Sequence, residues 1–321
     1  MNLAVKVLNK TYKLAILAIF LAATGWGCNW FKSANLRVPD MRPAGPRPAD
    51  LENVSPAEAS KRINFVQGSR IKLVPTYNGE SAKPAEDGNN ENVRFLTVER
   101  FAPQNVANFS WQLNQRVETE DSKKAREDYE KAKAAAKPDQ TPPKEPETAT
   151  EVISVSGGLS DLNLKNGHGL FLPAYWPADK ASAVDTSGIW LSRDVYEELT
   201  KTHVSTVYLN ILDSGFYGPL SKSKEFTQAL AAMDAARAKI VDRVDPDLMT
   251  SEKETSEWTL KVNDKDVKVQ VLKAKNWFGE IVVLDNPQNP IILKLKLDPT
   301  VADSFLQTLA GFEVTELSGV E

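Results

Sequence analysis

A chain of 321 residues that is 41% hydrophobic and 26% charged has the apolar content for a real core and room for one large domain or two small ones. Its formal charge of −4 denies it the basic face that phosphate backbones demand, so no nucleic-acid partner is expected. The one cysteine, Cys28, leaves no internal disulfide framework, and the fold must stand on its packing.

The first stretch of the chain says most about where the protein works. Lys6, Lys10 and Lys13 precede the apolar run Leu14 to Ala23, and Gly25-Trp26-Gly27-Cys28 follows. A basic region, an apolar run and small residues before a cut are the parts of a secretory signal peptide. The arrangement resembles the leader and lipobox of bacterial lipoproteins. That resemblance implies removal of residues 1–27 and lipidation of Cys28, so that the body is held to a membrane by its N-terminal lipid. Asn29 in place of aspartate after the cysteine implies, by the same resemblance, the outer membrane in a Gram-negative cell. Two other readings stay open: cleavage by ordinary signal peptidase after Gly25 or Gly27, and an uncleaved span over the 18 uncharged residues from Leu14 to Phe31. All three place the body outside the cytoplasm. Loss of the leader removes three lysines and no acid, so the charge of −4 becomes −7.

Residues 28–54 read as a tether. Pro39, Pro43, Pro46 and Pro48 fix φ and remove backbone donors, which favours an extended, solvated chain. The body, 55–321, is expected to be a single domain. It opens with Ser55-Pro56-Ala57-Glu58, an N-cap, a proline at the first helical position and an acid three residues after the cap, which predicts a short helix to about Ile63. Arg70 to Thr76, Asn92 to Arg100 and Asn108 to Gln115 are short, β-branched or aromatic and bounded by turn residues, so they read as strands. Tyr77 to Glu91, rich in Gly, Asn and Pro, reads as an exposed loop.

The composition changes over 118–150. Glu120 with Lys124 and Glu127 with Lys131 are spaced for helical ion pairs, almost no apolar face accompanies them, and prolines follow from Pro138. This is expected to be a charged helical or disordered insertion between two strands, the second at Glu151 to Ser156. Beyond it, Ser192 is placed to cap a helix to about Lys201, Val204 to Ile211 reads as a strand, and Ser223 to Val244 carries a helical apolar stripe. The C-terminal part is the clearest β region. Strands around Leu260 and Val269 flank an Asn263 to Asp266 turn, Ile281 to Leu284 and Ile291 to Leu297 are divided by Asp285 to Pro290, a helix follows Pro299, and Phe312 to Leu317 forms a last strand. The class is α+β, mainly antiparallel sheet with a few covering helices.

Catalytic signatures do not emerge. The two histidines, His168 and His203, have no ligand at helical spacing, so no metal site is expected, and no cofactor motif is present. Asp285 to Pro290 has oxygen donors but not the spacing of a calcium loop, and reads as a turn. Trp176, Trp190, Trp258 and Trp277, with Tyr175 and Phe278, suit either a core or a ligand pocket. Trp277 and Phe278, at an expected turn, and Trp190 are the candidate contact residues. The expected function is a non-catalytic envelope lipoprotein that binds an envelope protein, cell-wall material or an apolar ligand. The alternative is an exported hydrolase using the loop histidine His168.

Overall fold

The computed structural model describes residues 51, 53–77, 80–81, 92–135, 144–173, 176–209, 247–298 and 311–321. The leader, Cys28, the tether up to residue 50, the Ser223 to Val244 stripe and the helix after Pro299 lie outside these residues, while Leu51, at the end of the expected tether, is packed into the core. Pro48 to Glu321 forms one compact unit.

Most of what is described is strand, with three helices, a β-rich α+β fold. Helix α1 (Pro56–Arg62) starts where the sequence predicts, with the Ser55 hydroxyl accepting from Glu58 N at 3.3 Å. The strands β1 (Arg70–Tyr77), β3 (Arg94–Ala102), β4 (Val106–Glu118) and β5 (Thr150–Asn163) form an antiparallel run, with the short β2 (Glu80–Ser81) beside β1. Between β4 and β5 stands the charged helix α2 (Glu120–Ala135), nearly all of it exposed. Its two flanking strands pair directly with one another from Val106↔Asn163 to Glu118↔Thr150.

A small three-stranded sheet follows. In it β6 (Gly169–Leu170) lies between β8 (Thr186–Gly188) and β10 (Tyr208–Leu209), all parallel. The stretch expected to be one strand from Val204 is thus two: β9 (Val204–Thr206) belongs to the large sheet and β10 to the small one. Strand β7 (Lys180–Ser182) pairs with β5, and α3 (Arg193–Lys201) begins at Ser192, which caps Val195 N at 3.4 Å.

The C-terminal meander consists of β11 (Leu248–Ser251), β12 (Ser256–Val262), β13 (Lys265–Lys275), β14 (Gly279–Leu284) and β15 (Ile292–Leu297), and β16 (Gly311–Ser318) completes it. Asn263 and Asp264, at φ 48° and 68°, make the primed turn that suits the twist of a β12–β13 hairpin. Strand β1 occupies one edge of β16 along its whole length, from Arg70↔Ser318 to Thr76↔Gly311. The other edge is shared by β15, at Lys294↔Glu313, and β12, which runs parallel at Lys261↔Glu316. The first and last strands of the four-stranded run β12–β15 therefore both end on β16, and the sheet closes into a ring. Closure removes two open edges at once, and buried Val267, Val269, Val271, Ile281, Val283, Leu295 and Val314 supply its packing.

The turn Asp285 to Pro290 turns its asparagines inward and leaves Pro287 and Gln288 exposed at its tip. Asn286 and Asn289 are 1% and 0% exposed. Asn286 Nδ2 donates to the carbonyls of Ser60 and Ile63, both at 2.9 Å, and Asn289 Nδ2 to Ile63 O at 3.2 Å. These amides tie down carbonyls at the C-terminal end of α1, where Ser60 O also accepts from Ile63 N at 3.3 Å.

Candidate functional site

The inner faces of β1, β3, β4 and β5 carry Ile71, Leu73, Leu96, Val98, Phe109, Trp111 and Leu159, all buried. Strand alternation then sends the intervening side chains outward. Register lines them into two rows across the sheet. One is Arg70, Thr97, Ser110, Gly158 and Lys180; the other is Lys72, Phe95, Gln112 and Ser156. Arg70, Phe95, Thr97, Ser110, Gln112, Ser156 and Lys180 of these rows, with Trp111, Gly157, Ala178 and Asp179, bound an open groove of about 650 Å³ whose lining mixes polar and apolar groups. Phe95 contributes an exposed aromatic ring, 37% accessible, with Lys72 Nζ 5.9 Å from its centroid. Gln112 Nε2 donates to Ser154 Oγ at 2.9 Å, and Lys180 pairs with Glu99 at 3.3 Å, an exposed ion pair that adds little stability.

Beneath the groove the inner face holds a cation. Arg94, 9% exposed, lies with its guanidinium 4.5 Å from the ring centroid of Trp111 and 5.3 Å from that of Trp176, and its Nη1 donates to Pro173 O. No carboxylate faces it among the described residues, and burial pulls the guanidinium down to about 10. Arg94 Nε and Trp111 Nε1 have no acceptor among the described residues. The two indoles provide what the aliphatic core cannot, negative ring faces against a desolvated charge.

The aromatic residues singled out from sequence are placed differently. Trp190 and Phe278 are both 0% exposed. Trp190 packs with Phe65, Phe101 and Phe109 at centroid distances of 5.9–6.0 Å and donates Nε1 to Asn289 Oδ1 at 3.0 Å. Phe278 meets Trp277 edge to face at 6.0 Å. Trp277 is partly buried and donates to Asp247 Oδ1 at 3.4 Å. The turn that carries the pair folds inward, so neither Trp190 nor Phe278 offers surface to a ligand. Trp176 likewise belongs to the core, with Nε1 on Phe171 O at 2.9 Å.

Both histidines are engaged. His168 Nδ1 is 2.8 Å from the carbonyl of Thr206, which fixes that nitrogen as the protonated one. Ser251 Oγ donates to Leu199 O at 2.6 Å, so it accepts from His203 Nδ1 at 3.2 Å. In that arrangement the serine proton points at a carbonyl rather than at the ring. No group of three His, Cys, Asp or Glu side chains is placed to hold a metal among the described residues. No helix among them is long and apolar enough to cross a membrane.

Sequence reasoning did not identify the groove residues. Their only signal is the alternation of polar and apolar side chains within each strand, which marks an outward face and not which strands stand side by side. No protein-family model, no curated protein and no solved structure matches the chain.

Proposed function

We propose that this protein is a non-catalytic binding module of the bacterial envelope, anchored through lipid on Cys28, whose ligand seat is the outer face of β1, β3, β4, β5 and β7. One observation carries the reading: a groove of about 650 Å³ that combines a half-exposed aromatic ring, Phe95, with the hydroxyl and amide groups of Thr97, Ser110, Gln112 and Ser156. A flat ring beside hydrogen-bonding side chains matches a polar, extended ligand with one apolar face, and of the expected ligands the glycan of cell-wall material has that chemistry. A purely apolar ligand would leave those polar groups without partners.

The reading has two separate tests. Co-sedimentation with purified cell-wall sacculi is expected to retain the wild type and to lose about tenfold in affinity, ~1.4 kcal/mol, in Phe95→Ala. Equal retention of wild type and variant would remove the groove from consideration. For the anchor, intact mass and membrane partition of the wild type are compared with Cys28→Ser. Lipid mass and membrane retention in the wild type alone support the anchor; retention of both at full length means an uncleaved span.

A further inference from the structure

We propose that the open edge of β5 pairs with the same edge of a second copy, so that two molecules join as an antiparallel dimer through Thr150 to Ser156. The direction of the backbone groups is fixed by what β5 meets farther along. Gly158 N donates to Asp179 O at 3.4 Å, and Ser160 O accepts from Ala183 N at 2.8 Å, so the even-numbered residues turn their N–H and C=O away from β4. The two-residue period of a strand carries the same direction back to Val152 and Ser154. From the other side, Asn114 lies opposite Ser154, and its carbonyl is turned from β5 toward Asn92 N at 2.8 Å. Strand β7 covers β5 only from Gly158 to Ser160. Among the described residues no strand meets the outward groups of Val152 and Ser154.

The side chains on this segment are those of a pairing surface. Val152 is 44% exposed and Ile153 36%. The segment Thr-Glu-Val-Ile-Ser-Val-Ser has no lysine and no proline, the devices by which exposed edges are normally blunted. Its outward N–H and C=O groups on Val152 and Ser154 are symmetric about Ile153 and so complement those of its own copy, and charge does not oppose the match. A two-fold contact must be self-complementary, and Glu151 is the only charged residue between Thr150 and Ser156. Centred on Ile153, the pairing sets Val152 opposite Ser154 and Glu151 opposite Val155. At roughly 3.3 Å a residue the two glutamates stand about 13 Å apart, beyond the ~8 Å screening length of physiological salt. A strand-to-strand contact is small beside the ~1,600 Å² of a standard interface, so the dimer is expected to be weak and concentration-dependent.

Sedimentation velocity on the full chain in mild detergent tests this. The wild type is expected to pass from monomer to dimer as concentration rises. Ser154→Pro deletes one outward N–H and spares the ladder to β4, a substitution that open edges tolerate. Ile153→Lys sets two like charges across the axis. Each is expected to weaken dimerisation tenfold or more, with an unchanged circular dichroism spectrum showing that the fold is kept. A dimer that neither variant weakens overturns the proposal. So does a wild type that stays monomeric at the highest concentration.

Discussion

Tyr196 shows how one hydroxyl can hold a helix to a sheet. Its phenol, buried on α3, donates to Asp285 Oδ1 at 2.5 Å across the start of the β14–β15 turn. Burial first, and then the hydrogen bond and charge of Asp285, push the phenol well above its usual range. The sign of the pH effect follows. The folded state holds this proton more tightly than the unfolded state does, so the stabilisation is complete below about pH 10, the ordinary tyrosine value, and is lost as pH rises above it. Tyr196→Phe is expected to cost about 1–2 kcal/mol at neutral pH, because a charged acceptor loses its donor. Urea denaturation between pH 7 and pH 11 reads both: the wild type should lose stability steeply at the alkaline end, and the variant should lose less. Equal slopes for the two proteins would show that Tyr196 does not supply the alkaline transition.

At the scale of elements, the β4–β5 ribbon owes its fit to a residue with no side chain. Gly157 lies opposite Trp111, and an added Cβ would stand 2.2 Å from Pro177 O and 2.9 Å from the Trp111 ring. One of those atoms is backbone and the other belongs to a ring packed against Trp176 and Arg94, so neither can move without cost. Gly157→Ala is expected to destabilise by about 1–3 kcal/mol through overpacking, whereas the same change at Gly158 meets nothing nearer than 3.2 Å. Thermal unfolding of the two variants side by side checks the contrast, and equal midpoints would contradict it. The helix starts, by comparison, are decided locally. Ser55 and Ser192 cap α1 and α3 from within four residues, and the sequence shows both. Strand β11, only four residues long, has no such marker; it exists because β9 and β13 flank it.

The whole molecule is tied together at the Asp285 to Pro290 turn, where α1, the core indole of Trp190 and the closed ring meet. Asn289 accepts from Trp190 Nε1 and, together with Asn286, donates to Ile63 O. Replacing it with leucine keeps the volume but leaves the buried indole N–H of Trp190 without its acceptor, while Ile63 O keeps Asn286 Nδ2 at 2.9 Å. Asn289→Leu is therefore expected to cost about 1–3 kcal/mol, the cost of one unpaired buried group. Chemical denaturation followed by tryptophan fluorescence measures it, and a loss below 1 kcal/mol would show that the turn is not the junction described. The turn itself was legible, because Asn and Asp before proline are turn formers wherever they occur. Its burial was not, because the carbonyls it satisfies lie more than 200 residues away.

Taken alone, the sequence determined what depends on near neighbours: the helix caps, the primed turn at Asn263 and Asp264, and the strands whose alternation is strict. It also determined the class, because a chain dominated by period-two segments and short helices has α+β as its natural outcome. Tertiary structure alone decided which strands stand side by side. The ring closed on β16, the rows Arg70–Thr97–Ser110–Gly158–Lys180 and Lys72–Phe95–Gln112–Ser156, and the burial of Trp190 and Phe278 all depend on pairings between distant segments. Local propensity assigns a residue to a strand and to one of its two faces; only register says what lies beside it and whether that face meets core or water.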